Sequence, residues 1–286
     1  MTTTPAGKLA VIISTYQNPA MLRLVLEGYR RQTCRDFCIY IADDGSGAET
    51  RQLIEAYKHD FPAPITHLWH EDRGFRKARI HNRVIREVTE PYILLTDGDC
   101  IPLPNLVSTH LRLASHGHFI SGRRILLSEA LTRRLLNGEE KLADNIRQWL
   151  RLRLRGEVNR LLPMFTPPYL SAPNDKLAGI RGCHLSLWRD DLVAINGFDE
   201  SYEGWGREDS DLVARLLHAG IRRRNLQGTP VLHLWHRENP RQKLDANDAL
   251  LKQCLDERRI KAIVGLTQLA GQDNEPFPDH SQGSMT

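Results

Sequence analysis

Over the first hundred residues, short apolar runs alternate with stretches whose apolar positions recur every three or four residues. Residues 9–13 are continuously apolar, a pattern that predicts a buried strand. Polar residues 14–19 follow, with Pro19 at a helix start. Met21, Leu22, Val25, Leu26 and Tyr29 then fall at helical spacing. Residues 37–42 predict a second strand, which runs into Asp43-Asp44-Gly45-Ser46-Gly47. A helix over 48–58, a strand over 65–69, a helix over 75–88 and a strand over 92–95 complete the set. This alternation implies an α/β fold with a mostly parallel sheet covered by helices. In such sheets ligands bind beyond the carboxyl ends of the strands. Ser14-Thr15-Tyr16, Asp43-Asp44 and Asp97-Gly98-Asp99 occupy three of those ends.

The pattern changes over 121–165. Leu142, Ile146, Leu150, Leu154, Val158 and Leu161/Leu162 follow one another near i, i+4 spacing, with Trp149 beside them, and predict an amphipathic basic helix over 141–162. Pro163, Pro167, Pro168 and Pro173 then break the chain into a loop. Further on, the pattern predicts a helix over 210–219, a strand over 229–236 and a terminal helix over 243–260. The polar stretch 271–286, with Pro276 and Pro278, reads as a disordered tail. No internal repeat is present. The divisions are therefore 1–100, 101–240 with an insertion at 121–165, 241–270 and the tail.

Composition narrows the classes. A chain of 286 residues, 41% hydrophobic and 26% charged, is long enough for one large domain and excludes wholesale disorder or a disulfide scaffold. The net charge of +4 is too small to argue for nucleic acid as a partner. It is unevenly placed: residues 121–165 hold ten basic and five acidic residues, an excess of +5. Two readings of that segment stand. One is a core-packing helix with a solvated charged face; the other is a surface for anionic lipid or a lipid-linked acceptor. Cys34, Cys38, Cys100, Cys183 and Cys254 are scattered and odd in number, as expected of reduced structural thiols in a cytosolic protein. The apolar run at 9–13 lacks a basic flank and is too short for a signal peptide, and no stretch is long enough to span a bilayer.

Several constellations carry chemistry. Asp97 and Asp99 stand at alternate positions just past a strand, with Gly98 leaving room for close approach. Such hard oxygen ligands suit a Mg²⁺ or Mn²⁺ diphosphate complex. Asp43 and Asp44 are either a local turn or acceptors for a nucleobase imide N–H. Arg73, Arg76, Lys77 and Arg79 cluster at a helix start, where anions are favoured; a solvated face is the plainer reading. Gly204-Trp205-Gly206-Arg207-Glu208-Asp209 puts two carboxylates at the start of a helix behind a Trp that can stack on a sugar ring. Asp there can be only an N-cap, or it can deprotonate an attacking hydroxyl. His233 and His236 flank Leu234-Trp235, and one of the two can complete a metal shell.

With these residues in hand, the chain resembles a family-two glycosyltransferase of the GT-A fold. Residues 11–16, 42–47, 74–82 and 94–100 match the nucleotide-sugar half in order and spacing. Residues 178–220, with Asn196-Gly197-Phe198-Asp199 and then Gly-Trp-Gly-x-Glu-Asp, are similar to the C-terminal motif of β-1,4-galactosyltransferases, polypeptide GalNAc-transferases and bacterial chondroitin-type polymerases. The resemblance implies a nucleotide-sugar-binding half over 1–100 and an acceptor half over 101–240. It implies that Thr15, Tyr16 and Asp43 or Asp44 hold uridine, and that Asp97 and Asp99 form the Asp-x-Asp motif, Asp99 being the more direct metal ligand. Asp209 matches the catalytic base, Glu208 an acceptor contact, Trp205 with Gly206 the stacking loop, and His236 the late metal ligand. His233 stands where the galactosyltransferases carry a metal-bound Met, and the 141–162 helix has no counterpart. The expected activity is inverting transfer from a nucleotide sugar to a glycan or lipid-linked glycan hydroxyl. The implied location is the cytoplasm, at the inner face of a membrane. A nucleotidyltransferase is the alternative enzyme, but 14–19 lacks the glycine and cation its loop needs. A non-catalytic nucleotide-sugar-binding module would tolerate loss of Asp99 or Asp209, and both are present.

Overall fold

A computed structural model of the chain describes residues 8–142, 145–168, 172–173, 176–177, 179–180, 182–237 and 241–268. The tail expected at 271–286 lies outside the described residues. In chain order the first elements are β1 (Leu9–Thr15), α1 (Pro19–Arg30), β2 (Phe37–Asp43), α2 (Ala48–Lys58), β3 (Ile65–Trp69), α3 (Lys77–Glu87) and β4 (Tyr92–Asp97). Next come β5 (Cys100–Ile101), α4 (Leu106–Leu113), β6 (His118–Ser121), β7 (Arg124–Leu126), α5 (Glu129–Leu136), α6 (Ile146–Leu154) and α7 (Leu162–Phe165). The last are β8 (Ala172–Pro173), β9 (Leu185–Trp188), α8 (Arg189–Ala194), α9 (Glu208–His218), β10 (Arg222–Asn225), β11 (Val231–His233) and α10 (Leu244–Asp256).

Eight strands form one sheet in the order β3-β2-β1-β4-β9-β6-β10-β8. The first four are parallel, as the alternation predicts; β9 runs antiparallel to both β4 and β6. A smaller sheet joins β5, β11 and β7. Period-two alternation divides the core. Leu9, Val11 and Ile13 pack with the Met21, Leu22, Val25, Leu26 and Tyr29 face of α1. Ala10 and Ile12 face the opposite layer, with Ile80 and Val84 of α3 and Leu212 and Leu216 of α9. Both layers hold the strands in one register: Thr15 lies opposite Asp43, and Ser14 opposite Asp97.

Two expected elements differ. The strand expected over 229–236 is Val231–His233 only. The expected helix over 141–162 covers Ile146–Leu154, capped by the Asn145 side chain. Gly156 at φ 70° ends the turn that follows, with Glu157 N–H donating to the Leu152 carbonyl, and Val158 then pairs antiparallel to Leu127. The facing also differs: Trp149 and Leu152 reach the core, whereas Ile146, Leu150 and Leu154 are 54%, 48% and 89% exposed. The i, i+4 line read from the sequence is the outer edge, because the helix is short and rests on the core through residues three apart.

α9 is held by a buried charge. Arg215, fully enclosed, gives its Nε to Asp211 at 2.8 Å and its Nη1 to the Ile195 and Gly197 carbonyls, each at 2.8 Å. The segment 196–199 is a junction: Asn82 bonds both the N–H and the carbonyl of Phe198, and Asp199 accepts from the Ile263 N–H. Arg215→Leu would strand Asp211 in the core, so stability in urea should drop by about 3–5 kcal/mol. A loss below 1 kcal/mol would mean that α9 is anchored elsewhere.

Candidate active site

The carboxyl ends of β2, β1 and β4 deliver Asp43, Thr15 and Asp97 to one edge, where the sequence placed them. The two aspartates at the end of β2 and just past it serve the turn. Asp43 accepts from the Ser46 N–H at 2.8 Å and pairs with His67 Nε2 at 2.9 Å. Asp44 pairs with His70 Nε2 at 2.6 Å and accepts from the Arg76 N–H at 2.9 Å. Both are buried, so of the two readings the structural one describes their hydrogen bonds. Tyr16 is half exposed, its hydroxyl donating to Asp72 at 2.8 Å across the opening. Thr15 is buried beneath it, and a side chain on Gly98 would meet the Ser14 carbonyl at 3.1 Å.

Among the cations at the start of α3, Lys77 reaches the centre. Lys77 Nζ lies 2.9 Å from Asp97 Oδ1, which also accepts from the Ser14 hydroxyl at 2.7 Å. Burial works against the ammonium, but Asp97, Asp209 and Glu208 outweigh it and hold its proton well above the usual lysine range. Desolvation raises Asp97, and Lys77 and Ser14 more than offset that, keeping its carboxyl below the usual range. Arg73 is exposed and pairs with Glu71, and the Arg76 guanidinium donates to the Glu71 carbonyl. Arg79 is half-buried within the first turn of α3.

Glu208 and Asp209 open α9. The Gly182 N–H donates to Asp209 Oδ2 at 3.0 Å. Any side chain on Gly182 would sit 2.1 Å from that oxygen, so the close contact requires glycine. Glu208 is buried, and its Oε2 has no partner among the described residues. Burial first, and the neighbouring Asp209 next, push its carboxyl above the usual range. Trp205 stands 37% exposed before them, with the Arg241 guanidinium 5.3 Å from its ring centre. Its loop is strapped from α10 by Asn247, which donates to the Glu203 and Gly206 carbonyls at 3.1 and 2.9 Å.

Asp99 lies across the Asp-x-Asp motif from this cluster, against β11. Its Oδ2 is 3.1 Å from His236 Nε2 and 3.6 Å from His233 Nε2. Cys100 Sγ approaches the other oxygen at 3.2 Å. The ligand atoms of Asp99, Cys100 and His233 lie within 4.8 Å of one another, a donor set that fits a divalent cation, and His236 stands against the same Asp99 oxygen. The Asp99 hydrogen bond raises His236 to about 9, whereas burial lowers His233. Asp97, expected as a further ligand, lies against Lys77 and Ser14. Ser14, His67, His70 and Gly182 were not singled out from the sequence. Each acts through a contact between distant segments, and only Ser14, in the polar strand end, carried a local signal.

Residues 10–162 match the model of glycosyl transferase family 2, and residues 169–237 match a model described as the N-terminal domain of galactosyltransferase. Validoxylamine A glucosyltransferase of Streptomyces hygroscopicus subsp. jinggangensis (strain 5008) is 27% identical over 225 residues, covering 74% of this chain and 52% of the relative. Chondroitin synthase of Escherichia coli is 21% identical over 237 residues, covering 79% of this chain and 34% of the relative. The chain thus spans about half or less of the length of these curated relatives. The crystal structure of S. aureus TarS in complex with UDP-GlcNAc has the same fold, with a TM-score of 0.59 at 12% identity over 91% of this chain and 68% of that one. The α/β architecture is GT-A, and the chain belongs to glycosyl transferase family 2.

Proposed function

We propose that this chain is an inverting, metal-dependent glycosyltransferase that moves a sugar from a UDP-sugar to a hydroxyl of a glycan or lipid-linked glycan acceptor. The observation that carries the reading is the meeting of two groups. The Asp97–Lys77 pair at the end of β4 shares its electrostatic environment with Glu208 and Asp209 at the start of α9. The division of labour is a nucleotide-sugar half over 1–100 and an acceptor half over 101–240, with uridine lying along Thr15, Tyr16 and the Asp43-Asp44 turn. The UDP-GlcNAc complex of TarS supports a UDP-sugar. The likeness to a chondroitin synthase supports a role in bacterial cell-surface polysaccharide synthesis.

In the reaction, Asp209 takes the proton of the acceptor hydroxyl. The oxygen attacks the anomeric carbon from the face opposite the diphosphate, and the bond to the diphosphate oxygen breaks with its electron pair. Glu208, with its unpartnered oxygen, hydrogen-bonds the acceptor, and Trp205 stacks on its ring. Lys77, Arg76 and Arg79 lend positive charge on the donor side. Asp99, His236 and His233 would hold the metal, Mn²⁺ suiting the mixed oxygen and nitrogen set better than Mg²⁺. Such a cation supplies further positive charge for the departing diphosphate.

Asp209→Asn should cut transfer by about 10²–10⁴-fold, because it removes the base. UDP affinity measured calorimetrically with Mn²⁺ should stay within about twofold, because that step is not part of nucleotide binding. Near wild-type turnover would remove Asp209 from the role. Glu208 makes an independent prediction. A carboxyl whose folded value exceeds its unfolded value contributes stability that is full below the usual Glu range and lost as pH rises through the folded value. Glu208→Gln should therefore melt about 2–4 °C higher than wild type at pH 8, the gain fading at pH 4. An unchanged melting point at pH 8 would contradict the proposed desolvation.

The reading extends to location: a cytoplasmic protein peripheral at the inner face of a membrane. No helix among the described residues is long and apolar enough to cross a membrane. The exposed edge Ile146, Leu150 and Leu154 is interleaved with Arg147, Arg151, Arg153 and Arg155, and Leu162 and Phe165 of α7 are exposed as well. Apolar side chains set among arginines suit an anionic bilayer surface. The protein should float with phosphatidylglycerol-containing vesicles and not with pure phosphatidylcholine, and Leu150→Asp with Leu154→Asp should abolish it. Equal partitioning onto both vesicles, or onto neither, would refute the membrane surface.

A further inference from the structure

We propose that the buried pair His110–His184 consists of positioning residues for Asp209, acting through the turn that carries Gly182. The inference rests on Asp209 being the base. Residues Gly182–His184 form one tight helical turn, every residue of it buried. Its first N–H holds the Asp209 carboxylate at 3.0 Å, and its last side chain lies in the core. The position of that N–H is therefore set by whatever fixes His184.

Four contacts fix it. The His184 carbonyl accepts from the Gly122 N–H at 2.8 Å, and a side chain on Gly122 would overlap the His184 ring at 2.1 Å. His184 Nδ1 is 3.0 Å from the Arg123 carbonyl, and its Nε2 is 2.8 Å from Nε2 of His110. His110 Nδ1 is 2.7 Å from the Ser186 hydroxyl, which lies 2.9 Å from the Tyr92 hydroxyl. All four side chains are buried.

The protons follow from the chemistry of the last acceptor. A carbonyl only accepts, so His184 Nδ1 carries a proton and, in a neutral ring, its Nε2 accepts. His110 Nε2 then donates, and its Nδ1 accepts from Ser186, which accepts from Tyr92. Each proton is used once, and the chain runs one way from Tyr92 to the Arg123 carbonyl. Two neutral imidazoles are what this arrangement requires, and burial lowers the basicity of both. A fully satisfied buried network of this kind has one low-energy arrangement, so it holds the turn, and with it the Gly182 N–H, in one place. Nothing in the pair touches the reacting atoms; its effect on chemistry passes through the Gly182–Asp209 contact.

The test uses hydrolysis of UDP-GlcNAc, UDP-glucose and UDP-galactose with Mn²⁺, followed on whichever turns over fastest. His184→Leu, which removes both hydrogen bonds, should lower kcat about tenfold or more while leaving KM for the nucleotide sugar within about twofold. His184→Gln, whose amide both accepts and donates, should recover most of the loss. Combined with Asp209→Asn, His184→Leu should add no further loss. A parallel fall in kcat and in the fraction of protein that binds UDP, or failure of Gln to rescue, would overturn the inference. So would an undiminished kcat. If His184→Leu does not fold, Ser186→Ala cuts the same chain and should lower kcat alone. An unaffected Asp209→Asn would instead overturn the assignment of the base, leaving the two failures distinguishable.

Discussion

Lys77 stands among Asp97, Glu208 and Asp209, and this one ammonium lets three carboxylates share a small, partly desolvated space. Without it, like charges at this separation would take up protons or push α9 away from β4. The pair joins the first helical residue of α3 to the last residue of β4. Both belong to the parallel half of the sheet, and Glu208 and Asp209 of the galactosyltransferase-like segment act on Lys77 through their charge. Ser14 closes the same contact from β1, so three elements meet at one carboxylate.

The rest of the molecule holds those elements at that distance. Both layers of core pack on β1, and the parallel pairing leaves its neighbours ending level with it. α9 is fixed by Arg215 and by the 196–199 junction, so Glu208 and Asp209 project from a rigid helix start. The Trp205 loop is held by Asn247 at its carbonyls and by the Gly204 N–H on the Phe75 carbonyl, contacts that leave the indole at the surface. Glu208 is buried with one oxygen that has no partner among the described residues, a cost the fold carries at the start of α9.

The sequence made the layered fold legible because the signals were local. The apolar run at 9–13 and the helical spacing of Met21, Leu22, Val25, Leu26 and Tyr29 each describe one element, and those elements formed as expected. The polar strand ends were legible for the same reason. The 141–162 segment misled, because an i, i+4 line of leucines states only that a helix has an apolar edge. Gly156 shortened the helix, and Trp149 with Leu152 took the buried side. The aspartates at 43 and 44 were readable as a pair, but their partners His67 and His70 were not. Those contacts span 24 and 26 residues and depend on β3 pairing with β2.

By itself, then, the sequence determined the strand-helix alternation, the polar strand ends, the carboxylates at 97, 99, 208 and 209 and the two late histidines. These follow from periodicity and residue type, which act along the chain. Only the tertiary structure decided which carboxylate faces which cation. Asp97 went to Lys77 and Asp99 to His233 and His236, although the two aspartates, separated only by Gly98, carry the same chemistry. It also decided that Gly182, unremarkable in one dimension, supplies the N–H beside Asp209. The reason is physical: charge pairing and close packing are set by distances of about 3 Å between residues remote in the chain, and no local pattern encodes such distances.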